Sequence, residues 1–168
     1  MKSILETSRL RLFEFTLADA QLIFDLNEDP EVIRYVGDRR CENLEAARAV
    51  LSDIILPQYK LYSMGRWAVA LKDTHEIIGW CGIKYLTESK EYDLGYRFFQ
   101  KHWGNGYATE SAIAVLEYGH TQLGLKTIVG KADSGNTASI NVFRKLGMKF
   151  ERSGEEHCGM AVVYSSMR

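Results

Sequence analysis

Residues 95–110, Gly-Tyr-Arg-Phe-Phe-Gln-Lys-His-Trp-Gly-Asn-Gly-Tyr-Ala-Thr-Glu, constrain this chain more than any other stretch. They read as the end of a strand, a glycine-bearing loop and the start of a long helix. The first N–H groups of a helix have no intrahelical partner, and the helix dipole adds partial positive charge there. Small residues let an anion approach those donors closely. The stretch therefore predicts a loop able to hold a phosphate or pyrophosphate, or else a plain tight helix entry. Asn105-Gly106 is also a hairpin dipeptide, but from Tyr107 onward the apolar spacing is helical, not alternating. A dinucleotide fingerprint would need its third glycine at Thr109, and a nucleotide-binding loop would need Gly-Lys-Ser/Thr. Neither is present.

The segments around this stretch set the fold class. Arg9–Phe15 alternates charged and apolar residues, as a half-buried strand does. Thr16 is placed as an N-cap with Asp19 three residues on. Leu22, Ile23, Phe24 and Leu26 form a helical stripe that ends near Asp29-Pro30. Gly37–Asn43 is polar and loop-like. Leu44–Tyr62 has helical spacing, with Pro57 expected to kink or end it. Strands are predicted over Arg66–Leu71, Ile77–Tyr85 and Glu91–Phe99, the first two as an antiparallel hairpin. Helix follows over Tyr107–Leu123, then strand over Leu125–Ala132 and a short helix over Asn136–Leu146 closed by Gly147. Met148–Arg152 and Cys158–Met167 read as the last strands. The order β-α-α-β-β-β-α-β-α-β-β gives an α+β fold with a mixed, mostly antiparallel, seven-stranded sheet and helices on both faces. The strand–helix–strand over 91–132 should be a right-handed crossover between parallel neighbours.

Bulk properties remove several function classes. At 168 residues the chain is sized for one domain, 1–168. Its formal net charge of -1 offers no broad basic surface for nucleic acid. No 18-residue apolar run and no signal-peptide core are present, so a cytoplasmic protein without membrane attachment is expected. Cys41, Cys81 and Cys158 are odd in number and lack a CxxC, and the four histidines lack metal-ligand spacing, so no metal is expected.

A second cluster lies after the predicted strand 125–132. Asn136 and Ser139 stand three apart at the start of a short helix. Asn136 is either an N-cap only or an amide donor to an amide-bearing ligand between two strands.

Gly95-Tyr96-Arg97, Trp103-Gly104-Asn105-Gly106-Tyr107-Ala108-Thr109-Glu110, Asn136-x-x-Ser139 and Lys145-Leu146-Gly147-Met148 together resemble the GNAT acetyltransferase superfamily. Within it they resemble the RimJ/RimL branch, which acetylates protein N-termini. The opening Glu6-Thr7-Ser8-Arg9-Leu10-Arg11-Leu12 is similar to that branch's first strand. The resemblance implies acetyl-CoA as donor and a primary amine, a protein N-terminus or a small molecule, as acceptor. It implies pyrophosphate on Trp103, Gly104, Asn105, Gly106, Tyr107, Ala108 and Thr109, with pantetheine in a gap between the family's fourth and fifth strands. Asn136 would hold the cofactor's far side, and a backbone N–H near Phe98 or Phe99 would meet the oxyanion. Trp103 departs from the Gln/Arg that opens the family's loop pattern, a change that backbone donors tolerate.

The resemblance implies Asp93 as base, directly or through water, with Glu110 as the other carboxylate; Glu110 also suits the first turn of a helix. Many relatives place a proton-donating Tyr where this chain has Phe143, and the branch's Ser, here Ser139, is the substitute. No cysteine has a partner in sequence that would lower its pKa, which leaves direct transfer in a ternary complex. The alternative is an acyl-CoA-binding sensor without turnover. Ile33–Tyr62 is expected to wall the acceptor site. Its acids Asp38, Glu42, Glu45 and Asp53 either attract a cationic amine or form the wet face of a helix. A homodimer is left open.

Overall fold

The computed structural model describes residues 3–35, 41–156 and 159–168. Gly37, Asp38, His157 and Cys158 lie outside the described residues. One sheet runs in the order β1-β2-β3-β4-β5-β6-β8-β7. Its strands are β1 (Ser3–Glu6), β2 (Leu10–Phe13), β3 (Arg66–Leu71), β4 (Ile77–Leu86), β5 (Glu91–Phe98), β6 (Thr127–Asp133), β7 (Lys149–Glu156) and β8 (Gly159–Met167). Among the described residues only β5 and β6 pair in parallel; the other neighbouring pairs are antiparallel. The α+β class and the parallel crossover are as the sequence predicts. The strand count is eight rather than seven. The extra strand is the opening Ser3–Glu6, which turns at Thr7–Arg9 and pairs back on β2. Its four residues bury no complete face, so no alternation marks it.

The helices are α1 (Ala20–Glu28), α2 (Pro30–Ile33), α3 (Leu44–Ala49), α4 (Leu56–Tyr62), α5 (Tyr107–Thr121) and α6 (Thr137–Lys145). The Asp19 carboxylate accepts from the Thr16 N–H at 2.7 Å and from its hydroxyl at 2.9 Å, closing the turn into α1. Asp29 caps α2 by accepting from the Glu31 N–H at 2.9 Å. Pro57 neither ends nor breaks its helical segment. A π-helical stretch, Val50–Ile55, joins α3 to α4, and the Leu56 N–H already bonds five residues back to Leu51. The widened turn absorbs a residue that has no N–H to donate. Helix ends instead at Ser63, in the left-handed region at φ 54°.

The alternation along each strand sorts the core into two layers. One face, with Leu10, Leu12, Trp67, Val69, Ile83 and Leu94, packs on Ala112, Val115 and Leu116 of α5 and Phe143 of α6. The other, with Phe13, Phe15, Ala68 and Ala70, packs on Ile23 of α1 and on Ala47, Leu51 and Ile55 of the middle helical segment. The acids Glu42, Glu45 and Asp53 are all exposed. Gly82 on β4 permits close backbone approach: a Cβ there would lie 1.9 Å from the Gly65 carbonyl oxygen. No helix among the described residues is long and apolar enough to cross a membrane.

Glu91 ties three strands together. Its carboxylate meets Lys131 of β6 at 3.0 Å and Arg152 of β7 at 2.5 Å. Burial works to raise its pKa, but Arg152, Lys131 and Ser89 hydrogen-bond the charged form and hold it down to about 2. A depressed carboxyl contributes stability that is present above the unfolded-chain value, about 4.3, and lost as pH falls toward the folded value. Urea midpoints measured between pH 5 and pH 2 should therefore fall less steeply in Glu91→Gln than in the native chain.

Candidate active site

The parallel pairing of β5 with β6 covers only Asp93↔Val129 and Leu94↔Gly130. Beyond it the strands part, and Gly95–Phe98 run on with β4 alone on the other side. A cleft of about 530 Å³ lies along this free stretch of β5, walled by β5, by α6 and by Glu31, Val32, Arg34 and Tyr35 of and just after α2, with the 103–109 loop at one end.

That loop is shaped by two glycines. Phe98 ends β5, residues 100–102 make a 3-10 turn, and the Trp103 indole N–H donates to the Phe98 carbonyl at 2.8 Å. Gly104 and Gly106 sit at φ +78° and +80°, the left-handed region that glycine enters without strain. A Cβ at Gly104 would have nothing within 4 Å. Conformation, not crowding, requires glycine there, and the space above the loop is open. The first helical bond of α5 runs from the Glu110 N–H to the Gly106 carbonyl at 3.0 Å. The N–H groups of Tyr107, Ala108 and Thr109 thus precede the ladder, and no side chain caps this end. Helix α6 differs. Its Asn136 Oδ1 accepts from the Ser139 N–H at 3.0 Å, so Asn136 is an N-cap that also lines the cleft.

Of the residues singled out from sequence, Phe98, Trp103, Gly104, Gly106, Tyr107, Ala108, Thr109, Asn136 and Ser139 come together around this cleft. Asn105 and Phe99 lie outside its lining. The Asn105 amide donates to the carbonyls of His102 and Trp103, at 3.1 and 3.2 Å, and braces the loop from within. The Phe99 N–H is donated to the Ile78 carbonyl at 3.1 Å. Lys101 and His102 both meet the Glu76 carboxylate, at 2.6 and 3.3 Å.

Asp93 lies on the other face of β5, one residue out of step with Leu94 and Tyr96. Its carboxylate meets Arg66 Nη2 at 2.6 Å, and its carbonyl accepts from Arg66 Nη1 at 2.9 Å. Burial pushes the Asp93 carboxyl upward, with Arg66 opposing. Gly95 makes room for this arrangement, because a Cβ there would come within 2.7 Å of the Arg66 guanidinium carbon. Arg66 and Arg97 both stack on Trp80, at 5.1 and 5.5 Å, and Arg97 donates to the buried Asn27 amide oxygen. Glu91, Asp93 and Arg97, charged at every second position apart from Gly95, are the sequence trace of this polar face.

Tyr96 was missed as a site residue. It lines the cleft, its hydroxyl donates to the Ser139 carbonyl at 3.4 Å, and its ring stands 6.3 Å from that of Phe143. Burial raises its hydroxyl above the ordinary tyrosine range. Phe143 is core: it is 1% exposed and packs against Gly130, where a Cβ would come within 2.6 Å of the ring. Burial also pushes the Cys81 thiol up to about 12, which removes it as a nucleophile near neutral pH. Among the described residues no cluster of three or more His, Cys, Asp or Glu could hold a metal ion.

A family model described as acetyltransferase (GNAT) domain matches residues 9–149. The chain belongs to the GNAT acetyltransferase family. Its relatives include the uncharacterized N-acetyltransferase YoaA of Bacillus subtilis, 34% identical over 90% of this chain and 85% of that protein. An acetyltransferase structure from Agrobacterium tumefaciens superposes with a TM-score of 0.85 at 25% identity, covering 100% of this chain and 95% of that one. RimL, a ribosomal-protein α-N-acetyltransferase solved with coenzyme A, shares the fold at a TM-score of 0.84 and 16% identity, over 99% and 98% of the two chains. GNAT proteins take acetyl-CoA as donor, so the family assignment and the anion-ready loop point to the same class of ligand.

The Asp93–Arg66 pair yields a stability test within this GNAT fold. Both side chains are 14% exposed, so removing one leaves the other charge buried without its partner. Arg66→Ala should cost about 3–5 kcal/mol in urea unfolding at pH 7, and Arg66→Ala with Asp93→Ala should recover part of that loss.

Proposed function

We propose that this chain, residues 1–168 as one domain, is a cytoplasmic acetyl-CoA-dependent N-acetyltransferase that acetylates a primary amine. The acceptor is a protein N-terminus or a small molecule, in line with the RimJ/RimL-like motifs. The observation that carries the reading is the uncapped N-terminus of α5, opening through Gly104 and Gly106 onto the gap between β5 and β6. Three orphan N–H groups and the helix dipole suit a pyrophosphate. The unpaired edge of β5 suits an amide-bearing arm, and the Asn136 amide, on the opposite wall, suits the arm's other side.

Direct transfer in a ternary complex needs a C–N bond to form, the thioester C–S bond to break, one proton to leave the amine and one to reach the departing thiolate. Asp93 is the carboxylate on the last paired stretch of β5 and β6, on the face of β5 away from Tyr96. Burial shifts it upward, the direction that suits a proton acceptor, and with Arg66 on one oxygen it acts through water. Two hydroxyls, Ser139 and Tyr96, line the wall where a thiolate would form. The acyl-CoA sensor without turnover draws support from Phe143, which offers no proton.

Coenzyme A titration by calorimetry tests the binding half of the reading. The native chain should bind, and Gly106→Val should weaken binding about tenfold or more while staying folded, since a β-branched residue resists φ +80°. Equal affinity in the two proteins would remove the pyrophosphate from this loop. Thiol release from acetyl-CoA with a panel of amines tests turnover; no release above background with any acceptor selects the sensor. Tyr96→Phe and Ser139→Ala then divide the proton-donor role. The variant that loses about tenfold or more in kcat, within the range of general acid–base effects, without a matching change in coenzyme A affinity holds the donor.

A further inference from the structure

We propose that Arg9 is a positioning residue for the donor-binding loop, acting with Glu110 across the fold from the turn between β1 and β2. The proposal rests on the reading of 103–109 as the coenzyme A loop. Four donors from that turn converge on one carboxylate. Glu110 Oε1 accepts from the Thr7 hydroxyl at 2.5 Å, the Ser8 hydroxyl at 3.1 Å and the Arg9 N–H at 3.0 Å. Glu110 Oε2 accepts from Arg9 Nε at 2.7 Å, and Arg9 Nη2 lies 2.6 Å from it as an ion pair. With its oxygens so occupied, Glu110 is not the base that takes the acceptor's proton.

Arg9 also reaches the loop itself. Its Nη2 donates to the Asn105 carbonyl at 3.1 Å, and its guanidinium carbon lies 4.6 Å from the centre of the Tyr107 ring. The turn that carries Arg9 is fixed in place: Lys72 Nζ donates to the Thr7 carbonyl at 2.6 Å, and the Lys72 N–H to the Arg9 carbonyl at 2.9 Å.

An isolated exposed ion pair would contribute little. This one is charge-assisted, belongs to a network, and joins residues 101 positions apart. Two consequences reach the ligand. The 103–109 loop has two left-handed glycines and no helix cap; Asn105 and Trp103 brace its first half, and Arg9 holds the second, at Asn105 and Tyr107, from outside. Glu110 also places a negative charge in the first turn of α5, beside the site meant for an anion. Arg9 neutralises it, so the orphan N–H groups and dipole act on the ligand unopposed.

The test compares Arg9→Ala, Glu110→Ala, the double variant and Arg9→Lys with the native chain. Arg11→Ala is the control, because Arg11 of β2, two residues on, pairs with Glu6 of β1 at 3.1 Å but does not touch the loop. Arg9→Ala should weaken coenzyme A binding about tenfold or more by calorimetry. The double variant should be little worse than either single one, Arg9→Lys should not restore affinity, and Arg11→Ala should bind as the native chain does. Amide hydrogen exchange of the free protein should speed up across 103–110 in Arg9→Ala and stay unchanged in β4 and β5. Native-like affinity in a folded Arg9→Ala overturns the proposal, as does exchange that rises evenly through the sheet. If the native chain itself binds no coenzyme A, the reading of the loop fails, and the exchange measurement alone decides whether Arg9 braces it.

Discussion

The site depends on a ring lodged at a glycine. Phe143 fills the space over Gly130 that a side chain on β6 would otherwise occupy, and Tyr96 of β5 stands beside it. At the level of Gly130 the two strands still pair; one residue later they do not. Ordinary parallel strands would continue side by side, each satisfying the other's backbone. Here aromatic rings from α6 and β5 stand on one wall of the parting, and β5 runs on along Gly95–Phe98 with no strand paired on that side. In an enzyme of this family, the residue at position 143 is thus first a packing residue, and its lack of a hydroxyl follows from being 1% exposed.

Strand β5 serves two environments at once because a strand alternates its side chains. Tyr92, Leu94, Tyr96 and Phe98 face the layer of α5 and α6. Asp93, Gly95 and Arg97 face a layer in which two guanidiniums stack on Trp80. The strand thus carries Tyr96 toward the cleft and the Asp93–Arg66 pair outside the cleft lining, only a few residues apart in sequence. A one-residue slip in register would exchange the two chemistries, which makes the full eight-pair register with β4 part of the site.

Much of this was legible in the sequence. Helical spacing after Tyr107, alternation in residues 9–15 and the glycine at 147 placed the elements to within a few residues. The glycine loop and Asn136–Ser139 line one cleft, the placement that the family resemblance implies. What the sequence hid was long-range or conformational. Nothing local shows that Arg66 would lie across Gly95 onto Asp93, or that Arg97 would find Asn27, because those partners are 27 and 70 residues apart. The π-helical stretch before Pro57 was hidden because an added residue in a helical turn leaves no compositional mark. The opening strand was hidden because four residues without a buried face carry no period.

The parting of β5 and β6 also sets a length. From the last paired residue, Leu94, to the end of the strand at Phe98 is four residue steps, about 13 Å of extended backbone. The loop that follows is held to the Phe98 carbonyl by Trp103. The strand thereby works as a gauge. Any molecule with one end on the loop must span that distance to reach the last paired residues of β5 and β6.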